Sequence, residues 1–251
     1  MNPLVVRPEP QNQALCRALA EAGHRPLACP LLSFGDGAGL HALPALFDTL
    51  THRDYVIAVS VPAVTFTDNA LRRRGLAWPP ANYVAVGDAT GRALAGAGIT
   101  GATVPEDPRS EGIVSLPGLQ ALDGCRVLIL RGDGGRHMIA PALARRGARV
   151  DYCEVYRRHY RADPGGSLVK SWQSAGVDSI IVTSGGLLAH VFQLATAHAK
   201  DWLLSRLLIV PSIRVADSAR ELGFTQVINA EGASNQALIA ALDERKRNDR
   251  Q

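Results

Sequence analysis

Three serines stand where an apolar run of strand length gives way to helical spacing: Ser60 after YVIAV, Ser184 after SIIVT and Ser212 after LLIVP. Thr90 follows a fourth such run, YVAVG, by three residues. At such a junction a hydroxyl lies beside the unpaired amides of a helix start, a setting that holds carboxylates and phosphates. The same hydroxyl serves equally well as the N-cap of its own helix. Gly132, Gly134 and Gly135 make a turn of the same kind after the run VLIL. Their amides could meet an anion, or the glycines could be there only for the tight turn. Arg7 and Arg131 each close a strand and carry the forked donor that matches a carboxylate, unless they pair with local acids. Tyr156 ends the strand-like stretch 149–156, its phenol either reaching a cleft or packed as a half-buried strand aromatic.

Other chemistries lack their residues. The chain contains no GxGxxG, no P-loop, no GxSxG and no HExxH. Cys16, Cys29, Cys125 and Cys153 form no CxxC pair and have no histidine at metal-ligand spacing, so they read as buried thiols and no metal site is expected. No nucleophile–histidine pair and no carboxylate pair stands out. The residues describe a pocket for a small anionic ligand, without a cofactor.

Holding these residues takes strands that alternate with helices. The stretch 127–158 reads as strand, glycine turn, amphipathic helix and strand. The stretch 4–32 is the same unit written 124 residues earlier. At that offset Arg7 maps to Arg131, Leu19 to Leu143, Gly23 to Gly147 and Cys29 to Cys153, and further on Ser60 maps to Ser184 and Val86 to Val210. One offset held along the chain without a gap marks an internal duplication. The expected fold class is therefore α/β, with two flavodoxin-like parallel-sheet domains whose helices cover both sheet faces. Helices are expected over 62–74, 90–97 and 187–197, with Ser110 as the N-cap of another.

Two stretches, 33–39 (SFGDGAG) and 157–166 (RRHYRADPGG), read as linkers and are equivalent under the repeat. The segments outside them add up to the length of the segment between. This predicts a continuous domain, 39–155, and a discontinuous one, 1–33 plus 162–251, joined by two crossing segments, 34–38 and 156–161. A plain division into 1–124 and 125–251 is the alternative. Either way ligand contacts belong at the carboxyl ends of the strands.

Composition agrees with a globular protein: 47% of residues are hydrophobic and 20% charged. No apolar run reaches membrane-spanning length, and no signal peptide is visible, so a cytoplasmic protein with no membrane partner is expected. The net charge is +4, and only three of the 27 basic residues are lysine. An arginine excess suits an acidic ligand, although codon bias produces the same pattern. Charge is spread along the chain and aromatics are 5%, which argues against a nucleic-acid surface.

The order of motifs resembles the uroporphyrinogen-III synthase family: VVRP, YVIAVSVPAV, YVAVGDATGRALAGAG, RSEGIVSL, VLILRGDGGRHMIAPALARRGARV leading into VYRR, SIIVTSGGL and LLIVPSIRVADSARELGF. Together they span almost the whole chain. The resemblance implies cyclisation of hydroxymethylbilane, a linear tetrapyrrole bearing acetate and propionate on every ring, with inversion of the last ring and loss of water. It implies that segments 34–38 and 156–161 form a two-stranded linker. It also implies no cofactor, a monomer, and a substrate received from hydroxymethylbilane synthase. Position by position, Tyr156 matches the tyrosine that would assist the leaving hydroxyl. Gly87 and Thr90 match the VGxxT turn, Ser60 and Ser184 (with Gly185) the strand-end serines, and Ser212 and Arg214 the later S-x-R. The chain departs from the family at Val61–Pro62 and at Ser184–Leu187, where an asparagine is usual. A non-catalytic two-domain sensor of a small anionic metabolite is the alternative.

Overall fold

A computed structural model describes residues 1–134 and 138–248. In chain order its regular elements are β1 (Pro3–Val5), α1 (Gln11–Glu21), β2 (Leu27–Ala28), β3 (Leu32–Asp36), α2 (Leu43–Asp48), β4 (Tyr55–Ala58), α3 (Val61–Arg74), β5 (Asn82–Ala85), α4 (Asp88–Gly96), α5 (Ser110–Ser115), β6 (Arg126–Gly132), α6 (Ile139–Ala144) and β7 (Arg149–Tyr160). Then follow α7 (Ser167–Ser174), β8 (Ser179–Ile181), α8 (Gly185–Leu194), α9 (Ala197–Leu204), β9 (Leu207–Val210), α10 (Ile213–Glu221), β10 (Gln226–Asn229) and α11 (Asn235–Asn248). Residue contacts divide the chain into two units, Met1–Ser33 with His159–Gln251, and Phe34–Arg158. The chain passes between them within β3 and again within β7.

Each unit is built on its own sheet. The first is ordered β2-β1-β8-β9-β10, and all its pairings are parallel. The second is ordered β3-β7-β6-β4-β5, with β7, β6, β4 and β5 pairing in parallel and Thr103 bridging to Val84 beyond β5. Counted from β6, the second sheet repeats the first: β7-β6-β4-β5 and the Thr103 bridge stand where β2-β1-β8-β9 and β10 stand. This 2-1-3-4-5 order is the flavodoxin-like one. The duplication is thus visible in topology, with the second unit's two leading strands moved to the end of its chain.

Parallel strands covered on both faces must be apolar throughout. Val127–Leu130 in β6 and the whole of β9 are buried accordingly. In the second unit Leu43, Phe47, Leu71 and Leu128 pack on one side of the sheet, and Ile57, Ile113, Leu122 and Leu143 on the other. In the first unit Val5, Leu15, Ile209 and Leu238 form a separate core.

The structure departs from sequence expectation in three places. The helix expected over 187–197 is two helices, because Ala195 turns extended (ψ 117°) after α8. Ser110 is the first residue of α5, and Arg109 holds the cap position. Thr90 lies inside the first turn of α4, whose cap is Gly87. The segments 34–38 and 156–161, expected as a two-stranded linker, lie largely in neighbouring strands, since β3 runs to Asp36, a 3-10 turn starts at Ala38 and β7 continues to Tyr160.

Candidate active site

In the Phe34–Arg158 unit the carboxyl ends of β4, β6 and β7 converge on a cavity of about 350 Å³. Ser60, Arg131 and Tyr156 all line it, as do Gly132, Gly134 and Arg158. Ser60 leaves β4 in extended conformation and caps α3, its Oγ accepting from the Ala63 amide at 3.3 Å. The same Oγ donates to Tyr156 Oη at 3.1 Å. One hydroxyl therefore both caps a helix and lies at the cavity.

Tyr156 reaches this point through a break in strand register. Arg131 pairs with Glu154 but Gly132 pairs with Tyr156, so Val155 is an extra residue on β7. Such a bulge re-aims a side chain, and here both Val155 and Tyr156 are buried in succession. The Tyr156 ring lies on Gly132: a Cβ there would stand 2.5 Å from Cζ and 2.9 Å from Oη. Phe34 meets the ring edge-on at 5.5 Å between centroids, and Phe66 lies at 6.0 Å. Glycine below and aromatics beside thus seat the phenol ring.

Arg158 Nη2 donates to Tyr156 Oη at 3.0 Å, and its Nη1 donates to the Asp133 carbonyl at 2.8 Å. The Asp133 carboxylate accepts from the Arg158 amide at 3.0 Å and lies 3.7 Å from Nη1. Arg131, only 4% exposed, places its guanidinium 4.8 Å from the Tyr152 ring centroid and donates to the carbonyls of Gly132 and Gly134. Part of its donor fork thus braces the loop beside the cavity that it lines. Gly135, expected to join this turn, lies outside the described residues.

Gly87 caps α4 at the end of β5, and a Cβ there would press on Pro108 at 3.1 Å. Thr90 is 3% exposed and is not a lining residue of the cavity. The remaining expected residues lie in the other unit. Ser184 caps α8, accepting from the Leu187 amide at 3.2 Å. Gly185 opens α8, and Arg214 Nη1 lies 3.9 Å from where its Cβ would be. Ser212 holds the cap position of α10, yet its hydroxyl caps no amide. Arg7 is bonded to Asn235 Oδ1 (3.2 Å) and the Ala233 carbonyl (3.4 Å), its buried Nε has no partner among the described residues, and burial draws its pKa down.

Sequence reasoning missed Arg158, although a signal existed. Residues two apart share a face of a strand, so Arg158 had to follow Tyr156 to the cavity. Among the described residues no group of three or more His, Cys, Asp or Glu is arranged to hold a metal ion. No helix among them is long and apolar enough to cross a membrane.

Two sheets with the same parallel strand order, with hydroxyls, guanidinium groups and helix starts at their carboxyl ends, define a duplicated flavodoxin-like protein. The family model described as Uroporphyrinogen-III synthase HemD matches residues 13–240. Uroporphyrinogen-III synthase of Salmonella typhimurium is 38% identical over 245 residues, covering 96% of this chain and all of that protein. The Escherichia coli enzyme of the same name is 37% identical over 248 residues, with 96% and 100% covered. The chain belongs to the uroporphyrinogen-III synthase family. Among solved structures, a mutant uroporphyrinogen III synthase from Thermus thermophilus superposes with a TM-score of 0.66 at 21% identity over 98% of both chains. The Helicobacter pylori synthetase gives 0.60 at 15% identity over 98% of this chain and 100% of that one. At these identities the likeness is one of fold.

Proposed function

We propose that this chain cyclises hydroxymethylbilane to uroporphyrinogen III, inverting the last pyrrole ring and releasing water. The observation that carries the reading is the Tyr156 phenol, fixed on Gly132 with two hydrogen-bond donors at its oxygen and lining the cavity. In the substrate a pyrrole nitrogen lone pair expels the terminal hydroxyl. The C–O bond electrons leave with oxygen, Tyr156 supplies the proton that makes it water, and an electrophilic methylene remains. The last ring attacks this methylene through its substituted carbon, giving a spiro intermediate. The bond from that carbon to its original bridging methylene then breaks, and the freed methylene bonds to the ring's unsubstituted α-carbon. That carbon loses its proton as the macrocycle closes and the ring regains aromaticity. The chemistry is easy once the chain is held, so orientation carries most of the catalysis, with acid assistance added.

Orientation falls to groups that meet carboxylates: Ser60 and Arg131 near Tyr156, Gly87 and Thr90 on the neighbouring turn, and Arg7, Ser184, Gly185, Ser212 and Arg214 in the other unit. Pro62, second in α3, has no amide to offer. The helix loses nothing by this, because first-turn amides have no partner inside it. The reaction itself calls for no cofactor. We place it in the cytoplasm, in a monomer that receives its substrate from hydroxymethylbilane synthase. Identity over the full length of named synthases gives no support to a sensor that binds without turnover.

The test is product analysis. The protein is incubated with freshly generated hydroxymethylbilane, the products are oxidised, and the porphyrin isomers are separated. Type III in excess over the spontaneous type I product is expected. Type I alone overturns the enzyme reading.

A further inference from the structure

The geometry assigns to Arg158 the task of aiming the Tyr156 proton at the departing hydroxyl, an inference that rests on Tyr156 acting as the acid. A phenol oxygen carries one O–H and has two lone pairs with which to accept. In this site both acceptor positions are taken, by Ser60 Oγ at 3.1 Å and by Arg158 Nη2 at 3.0 Å. The phenol's own hydrogen is left to point away from both donors, into the cavity that all three residues line. Without Arg158 one lone pair is vacant and the hydroxyl can rotate to donate back to Ser60 Oγ, which withdraws the proton from the substrate.

Arg158 is itself held. Its second arm donates to the Asp133 carbonyl at 2.8 Å, its backbone amide donates to the Asp133 carboxylate, and its guanidinium carbon lies 5.3 Å from the Tyr156 ring centroid. The Asp133 amide closes the loop by donating to the Tyr156 carbonyl at 2.9 Å. Two arms used at a fixed angle are what a guanidinium offers and an ammonium does not. When the proton passes from Oη to the leaving oxygen, the negative charge left on Oη faces a cation. The proton that the closing ring releases on regaining aromaticity then restores the phenol, so the residue ends the cycle as it began.

Because Arg158 acts through Tyr156, it is a positioning residue, and a double-mutant cycle tests it. With hydroxymethylbilane as substrate, Arg158→Ala is expected to lower kcat about ten- to hundredfold, with KM changed less than about threefold. Added guanidinium ion, at concentrations that leave the melting temperature unchanged, should restore part of kcat. Arg158→Lys should keep more activity than Arg158→Ala, and it serves in its place if the alanine variant does not fold. Tyr156→Phe/Arg158→Ala should be no slower than Tyr156→Phe alone. Losses that multiply in the double variant overturn the inference, as does wild-type kcat in folded Arg158→Ala. The reading of Tyr156 as the acid has its own readout, since wild-type kcat in Tyr156→Phe sinks that reading whatever Arg158 does.

Discussion

Gly132 and Tyr156 must be chosen together. An alanine Cβ at position 132 would stand 2.5 Å from the phenol ring, closer than packed atoms approach, so the ring has to leave its seat or the strand has to shift. Overpacking of this kind costs about 1–3 kcal/mol. Gly132→Ala is therefore expected to lower the melting temperature modestly and kcat by at least about tenfold, because a small misplacement of a reacting group is costly. Thermal unfolding read beside kcat checks both, and full activity in the variant would show that the ring's seat does not matter. At this scale much of the site was legible. Ser60, Arg131 and Tyr156 were recognisable from residue type and position at strand ends, and the structure brings all three to one cavity. What was not legible is the bulge that turns Tyr156 inward, because strict alternation gives no warning of an inserted residue. The backward fold of Arg131 onto the Gly132 and Gly134 carbonyls was likewise hidden, as it depends on loop geometry.

At the scale of elements, the strand-to-helix junctions differ in how much their hydroxyls contribute to the helix that follows. Ser184 Oγ accepts from the Leu187 amide, whereas the Ser212 hydroxyl caps nothing. Ser184→Ala should cost about 1 kcal/mol in denaturant unfolding, and Ser212→Ala less than about 0.5 kcal/mol. If Ser212 meets a substrate carboxylate, its alanine variant should raise KM while stability stays unchanged. The turn before β4 carries a different device. Asp54 is 5% exposed, and its carboxylate accepts from the Arg126 amide at 2.7 Å and from the amide and hydroxyl of Thr51 at 2.8 and 2.9 Å. Burial pushes its pKa up, but the hydrogen bonds from Arg126 and Thr51 outweigh this and hold it below the ordinary value of 3.8. A depressed carboxylate contributes stability that is complete above the unfolded pKa and is lost as pH falls through the folded one. Asp54→Asn should thus destabilise by about 1–3 kcal/mol at pH 7, and the gap to the parent protein should narrow below about pH 4. A gap that stays constant down to acid denaturation would contradict the assignment. Element type was readable from apolar period and glycine stops. Boundaries were not, since the split between α8 and α9 turns on the ψ of one alanine that no residue pattern marks.

At the scale of the whole molecule, the duplication explains why a chain interrupted by another unit can still build a flavodoxin-like sheet. The repeat offset was legible because buried parallel strands and the glycines after helices tolerate little change. It slips by one residue at the fourth strand, where Gly87 caps α4 but Ser212, not Pro211, caps α10, and no pattern of residue types announced that. The Met1–Ser33 and His159–Gln251 segments share a sheet and a core of their own. Their cut ends are neighbours, since the Arg161 amide donates to the Leu31 carbonyl at 2.9 Å. Deleting 34–158 and joining Ser33 to His159 through a short glycine linker should therefore give a contiguous domain of strand order 2-1-3-4-5. Closing so short a loop costs little entropy. The joined chain is long enough to fold alone and is expected to unfold in one cooperative transition, with an enthalpy of about 90 kcal/mol near 60 °C. Calorimetry and near-ultraviolet circular dichroism of the purified fusion decide the matter. A broad, low-enthalpy transition would mean that the unit needs the inserted one to fold, and that the duplicated halves no longer carry separate cores.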